Sequence, residues 1–314
     1  MTDDPIQRIL GGTPDQPTLT FERRYRTDPD DLWQAITDTD RLARWFGRLD
    51  EPAPRQVGDA FRVHLGGDDN DRADGVITAC RQPEHLAYEW RWQGERPSRV
   101  DVALAPDGDH TNLLLTHRLT EREHAIGYGG GWEELLGSLH GQLDPTFVHD
   151  APAAEAEGNR QWSRLLELGD AAHDLRLTRL LPATCEQVWD AFTTRDGLAT
   201  WWWSTLGTTY DVDLRVGGHY RFEASSGGFA VSGTYLELSP DEHLACSWIW
   251  EDEDGAGTTD RVDITLRSRP AGTEVEIWHR GPWADGEQAE DYRLGWTSTL
   301  DALERRLASA PTAP

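Results

Sequence analysis

The chain contains no lysine. All 30 of its basic residues are arginine, set against 56 Asp and Glu, for a net charge of −26. A balance this acidic, with no basic stripe along it, argues against nucleic acid and anionic membrane surfaces as partners. Long apolar runs are missing too. None approaches the roughly 18–20 residues that a membrane span needs. The opening MTDDPIQRIL lacks the basic head and apolar stretch of a signal peptide, so a cytoplasmic protein is expected. Cysteine is scarce. Cys80, Cys185 and Cys246 stand far apart with no CxxC, which leaves no disulfide framework or zinc ribbon and reads as small buried hydrophobes. Catalytic signatures are absent as well: there is no GxSxG, HExxH, P-loop or complete GxGxxG. The glycines of GYGGGW (127–132) follow no strand-to-helix nucleotide pattern and read as loosening a helix, at roughly 1 kcal/mol each. The acidic runs DDNDRADG (68–75) and EDEDG (251–255) lack the EF-hand ligand order and read as solvated turns. No metal or other cofactor is expected.

Tryptophan, by contrast, is abundant, with 15 in the chain, and many of them recur in register. EHLAYEWRW at 84–92 returns as EHLACSWIW at 242–250, agreeing at six of nine positions. LWQAITDTDRLARWF (32–46) lines up with VWDAFTTRDGLATWW (188–202), and RVDVAL (99–104) with RVDITL (261–266). His117-Arg118 matches His279-Arg280, and Trp132, Leu136, Leu139 and Leu143 match Trp296, Leu300, Leu303 and Leu307. A period of about 160 residues means two copies of a whole domain, not a solenoid. The copies run 16–146 and 173–309. Between them, 147–172 begins Ala/Pro/Glu-rich, as linkers do. It then places Trp162, Leu165, Leu166 and Leu168 for one or two turns of amphipathic helix.

Each copy reads as a strand, two short helices, about five strands with turn signals between them, and a long amphipathic helix. Thr184 is the expected N-cap of the first helix in copy two. Neighbouring strands with short turns pair antiparallel, so the class is α+β, one curved sheet against one long helix. Strand parity turns Cys246, Trp248 and Trp250 inward, joined by Tyr220, Phe222, Ile277 and His279 from other strands. Tyr292, Trp296 and Leu300 face them from the closing helix. Copy one supplies Tyr88, Trp90, Trp92 and His117 from strands and Tyr128 and Trp132 from its helix. Rings this large either fill the core or hold the two layers apart around a ligand cavity. On the same two readings, His117 and His279 are core histidines satisfied by a neighbour or cavity groups that bond a ligand. Cys246 in place of Tyr88 makes the second pocket roomier at that point, and the second is the one expected to be used. Ile249 in place of Arg91 is expected to be an exposed apolar residue.

VWDAFTTRDGLATWW, DLRVGGHYRF, VSGTYLELSPDEHLACSWIW, GTEVEIWHRG and YRLGWTSTLDALERRL, in that order, resemble the START-like (SRPBCC) superfamily. Within it they are most similar to bacterial homologues of the C-terminal domain of the activator of the heat-shock protein 90 ATPase. Copy one departs from the pattern, with QVGDAFRV where the family writes RVGG. The resemblance implies two tandem helix-grip domains, each a curved antiparallel sheet around a long helix and an internal pocket. It does not fix function; the first reading is non-catalytic binding of a small hydrophobic or aromatic ligand, in transfer, storage or sensing. The alternatives it leaves open are a polyketide cyclase/aromatase-like enzyme and a co-chaperone or interaction module with a chaperone or homodimer contact.

Overall fold

Alternating apolar strands need a partner layer, and each half of the chain builds one of its own. A computed structural model describes residues 5–50, 52–66, 71–170, 173–283 and 286–309. Two units divide the chain, Met1–Asp170 and Ala171–Pro314. Unit one runs β1 (Gln7–Gly12), β2 (Pro17–Tyr25), α1 (Pro29–Thr37), α2 (Thr39–Leu42), β3 (Arg48–Leu49), β4 (Ala60–His64), β5 (Arg72–Arg81), β6 (His85–Trp92), β7 (Ser98–Asp107), β8 (His110–Arg118), α3 (Ala125–Leu143) and α4 (Ala151–Asp170). Its sheet is antiparallel in the order β1-β2-β8-β7-β6-β5-β4-β3. Unit two runs β9 (Leu175–Leu181), α5 (Cys185–Thr193), α6 (Arg195–Leu198), β10 (Thr208–Val212), β11 (His219–Ala224), β12 (Phe229–Ser239), β13 (His243–Asp252), β14 (Gly255–Arg269), β15 (Gly272–Arg280) and α7 (Glu287–Ala308). Its order is β10-β11-β12-β13-β14-β15-β9. The expected α+β class with two antiparallel sheets is what forms.

Local chemistry explains why the copies start alike. Thr184 accepts from the Gln187 backbone at 3.2 Å while the Gln187 side chain accepts from the Thr184 backbone at 3.0 Å, a full capping box at α5. Asp28 does half of this at α1, accepting from Asp31 N at 2.8 Å. Trp45 and Trp201 each send the indole N–H back to the preceding helix, to Ala35 O and Ala191 O, both at 2.9 Å. The repeated tryptophan is therefore a brace that fixes α2 and α6 against α1 and α5. Thr184→Ala is expected to cost unit two about 1 kcal/mol, read from its urea midpoint; an unmoved midpoint would show that the cap is idle.

Three expectations need correction. A strand, β1, precedes the expected start at 16 and pairs with the edge of β2 from Gln7↔Glu22 to Gly12↔Pro17. In unit two the short β10 adds a sixth strand to the meander. The expected linker at 147–172 is mostly α4, a helix of 20 residues. Its Trp162 and Leu166 join the core of unit one, so it is part of that unit's fold.

The same helix corrects the reading of GYGGGW. Gly129 and Gly130 are buried in α3, and a Cβ on Gly129 would lie 2.5 Å from the Trp162 ring. One on Gly130 would run into Asn159. These glycines are the seat on which α4 lies, a close approach only they permit. EDEDG forms the β13–β14 turn, as expected. Asp68–Asn70 of the other acidic run lie outside the described residues. Ile249 is half-buried, paired with Ser232 and Thr259, and not fully exposed.

Candidate functional site

Both long helices are bolted to their sheets through a histidine. Trp132 Nε1 donates to His117 Nδ1 at 3.0 Å, and Trp296 Nε1 donates to His279 Nδ1 at 3.1 Å. An indole N–H only donates, so Nδ1 is the acceptor and the ring proton sits on Nε2. His117 Nε2–H then meets Ser98 Oγ at 2.8 Å, and that hydroxyl donates to Trp90 O at 3.2 Å. In unit two Nε2–H meets Asp260 Oδ2 at 3.2 Å, which also accepts from Trp283 Nε1 at 3.3 Å. Both imidazoles are fully buried, with both nitrogens engaged. Burial pushes His117 down to about 3. Burial also lowers His279, with the Asp260 carboxylate pulling the other way. Neither ring lines the spaces described below, and among the described residues both nitrogens of each are taken by neighbours. Ser98 and Asp260 went unnoticed in the sequence. The signal was there: each immediately precedes the repeated RVD, Ser98-Arg99 against Asp260-Arg261, and differs between the copies.

The RVD repeat itself builds an ion cluster on the opposite sheet face. Asp263 takes Arg261 at 2.8 Å and Arg280 at 2.7 Å; Asp101 takes Arg99 at 2.8 Å and Arg118 at 2.6 Å. Burial alone would raise Asp263, yet the two arginines hold it at about 2. This pairing supports strand register.

The interior space between sheet and closing helix is larger in unit one than in unit two. A cavity of ≈ 230 Å³ opens between sheet and α3, with Ile77, Tyr88, Val102 and Leu115 below and Trp132 and Leu136 above. Trp33 and Ile36 of α1 and Phe46 after α2 close one side. Arg55, Gln56 and Gln82 stand at the mouth. The Tyr88 hydroxyl makes no hydrogen bond among the described residues, and burial keeps it a neutral phenol. The matching space in unit two is only ≈ 20 Å³. The room expected at Cys246 is not left open in this space. Cys246 does replace Tyr88, but Phe222 replaces Val63 and Tyr235 replaces Ile77, as the strand registers show. Tyr220 swings into the gap left by Cys246, donating to Ser247 O at 2.7 Å. Added rings outweigh one missing ring.

The repeated phrase assembles elsewhere, at the end of each sheet beside the closing helix. Trp90, Trp92, Tyr128 and Trp132 line a groove of ≈ 490 Å³ in unit one. Trp248, Trp250, Tyr292 and Trp296 line one of ≈ 1030 Å³ in unit two, with Trp201–Trp203 added. In unit one the groove is acidic: Tyr128 donates to Glu95 at 2.5 Å, and Glu123, Glu134 and Glu155 complete the rim. Of the candidate residues, Cys246, Tyr220 and Phe222 line only the small void. Ile277, Leu300, His117 and His279 are buried core that lines none of these spaces. The contributions of α1, α2 and β3–β4 to the unit-one cavity were not anticipated, although Trp33, Trp45 and Phe46 sit in the repeated block that marked them.

Two sheets, each gripping a long helix and each followed by the same histidine bolt, define tandem helix-grip domains of the START-like class. The chain belongs to the family of Activator of Hsp90 ATPase homolog 1-like proteins, whose profile matches residues 26–144 and 182–308. Among solved structures, CalU16 from Micromonospora echinospora is 27% identical, covering 52% of this chain and 99% of its own, with a TM-score of 0.44. A protein from Chromobacterium violaceum is 30% identical over 44% of this chain and 99% of its own, with a TM-score of 0.37. DynU16, from the dynemicin biosynthetic locus, is 17% identical and covers 92% of this chain and 97% of its own, with a TM-score of 0.38. No curated protein matches the chain. Among the described residues, no helix is long and apolar enough to cross a membrane.

Proposed function

We propose that the chain is a binding protein whose first domain holds a small, mainly apolar ligand of one or two rings in its interior. The observation that carries this is the ≈ 230 Å³ space beneath Trp132. It falls between the roughly 150 Å³ that accommodates benzene and the roughly 300 Å³ where drug-sized pockets begin. The walls are aliphatic and aromatic, and the free Tyr88 hydroxyl offers one hydrogen bond to orient a polar substituent. An apolar space with a single convergent polar group suits carriage or sensing. The enzyme reading asks for a proton donor and acceptor facing that space. Tyr88 as a neutral phenol supplies the donor alone, and His117 is engaged on both sides. The function proposed is therefore binding without turnover.

Val102→Phe places a ring into this space from the sheet. In isothermal titration with 2-naphthol, the wild type is expected to bind and the variant to bind about tenfold more weakly or worse. Equal affinity in the two, with unfolding midpoints alike, would place the naphthol elsewhere and sink the proposal.

A further inference from the structure

The second domain carries a groove that the interior-cavity reading leaves unused. It runs between the Trp201–Leu206 segment and α7 and encloses ≈ 1030 Å³. Trp202 lines it and is 3% exposed, yet its indole Nε1 has no hydrogen-bond partner among the described residues. Trp248 Nε1, 5% exposed in the same wall, draws on the Tyr292 hydroxyl without closing a hydrogen bond. A buried donor left without an acceptor is destabilising, and a ligand oxygen would satisfy it. The equivalent of Trp202 in domain one is Phe46, which has no such donor, so domain one offers no counterpart to this N–H.

The adjoining residue is also unusual. Trp203 has φ +48°, the left-handed region that a bulky side chain adopts only when its surroundings hold it there. Phe229 at 4.8 Å and Trp250 at 5.8 Å hold its ring edge-on. The result is an aromatic wall fixed before any ligand arrives.

Charge selects among aromatic occupants. Arg305 and Arg306 line the far end, and neither guanidinium has an ion-pair partner among the described residues. Asp291 is the one acidic side chain in the lining, and it stands near Tyr292 at the other end. In a chain of net charge −26, an end with two unpaired cations is a local exception. Nine residues, about 14 Å of helix rise, separate Trp296 from Arg305, and helical side chains lean back toward the N-terminus. The gap suits an elongated two-ring acid.

We propose that this groove is a second ligand site, taking an elongated aromatic molecule that bears an anionic group. Its rings lie against Trp203, Trp250 and Tyr292, an oxygen accepts from Trp202 Nε1, and the anion meets Arg305 and Arg306. The test uses the full chain carrying Val102→Phe, so that the domain-one cavity is closed and a failure here is separate from a failure there. Biphenyl-4-carboxylate and biphenyl-4-carboxamide are titrated by calorimetry. The acid is expected to bind more tightly than the amide. Adding Arg305→Ala and Arg306→Ala should weaken the acid by about tenfold or more and leave the amide within about twofold. Both arginines are exposed, so this variant keeps the core intact. Trp202→Phe, which keeps a ring and removes the donor, should weaken both probes. Equal affinity for acid and amide, an acid affinity unmoved by the arginine changes, or no binding of either probe would overturn the proposal.

Discussion

Trp162→Ala is expected to cost the first unit about 3–5 kcal/mol, the usual range for deleting a large buried ring. The ring is fully buried and packs against Phe21 with centroids 4.9 Å apart. It also lies over Gly129, whose missing side chain makes its seat. Its Nε1 donates to Glu133 Oε1 at 3.0 Å, and Arg8 grips the same carboxylate at 2.5 and 2.6 Å. Truncation would open a cavity and remove one donor from a buried charge, two penalties that act in the same direction. Trp162→Phe keeps most of the packing and should cost clearly less. Guanidinium unfolding, followed with a probe in each unit, would read this as a lower first-unit midpoint and an unmoved second. A shift below about 0.5 kcal/mol would mean that α4 is the detachable connector its composition suggested.

The second large effect is acid lability centred on His117. Its folded pKa of about 3 lies below the roughly 6.5 of an unfolded histidine, because burial disfavours the charged ring. Between those values the unfolded chain binds the extra proton, so stability rises with pH across the window. It is fully present above about pH 6.5 and is lost as pH falls toward 3. The limiting slope is about 1.4 kcal/mol per pH unit, so going from pH 7 to pH 5 should cost unit one about 2 kcal/mol. Asp101 and Asp263, held low by their arginines, lose their contribution only in the carboxylate range below, so they do not blur this interval. His279 is depressed by burial too, but Asp260 opposes the shift, so unit two should be the more acid-tolerant. His117→Gln cannot take a proton. It should be weaker than wild type at pH 7 yet lose less on going to pH 5. Parallel pH profiles for variant and wild type would remove His117 as the cause.

What could be read from the sequence was whatever repeats within one element. Strand parity placed Ile277 and His279 inside, and both are buried. The paired Trp45 and Trp201 fell where one hydrogen bond needs them. What could not be read depends on elements far apart in the chain. The comparison of Tyr88 with Cys246 concerned a single position. The volume was settled by Val63 against Phe222 and Ile77 against Tyr235, on other strands. The glycines of α3 looked like weakness because their reason, Trp162, comes about thirty residues later on a helix outside the repeated blocks. The interior-facing set was therefore identified more securely than the space it leaves. Trp90 and Trp92 border the groove of unit one, Trp250 that of unit two, and Trp248 both that groove and the small void.

The indole cluster of the second domain has an optical consequence. Trp202 has Trp201, Trp203, Trp248 and Trp296 within 5.0–5.9 Å, centroid to centroid, at interplanar angles from 55° to 87°. Rings so close and so steeply inclined share their excited states. Their coupled transitions add circular dichroism bands that belong to neither helix nor strand, so a far-ultraviolet spectrum of this protein reports ring packing along with backbone. Excitation also migrates among the rings before emission, so quenching one of them dims its neighbours.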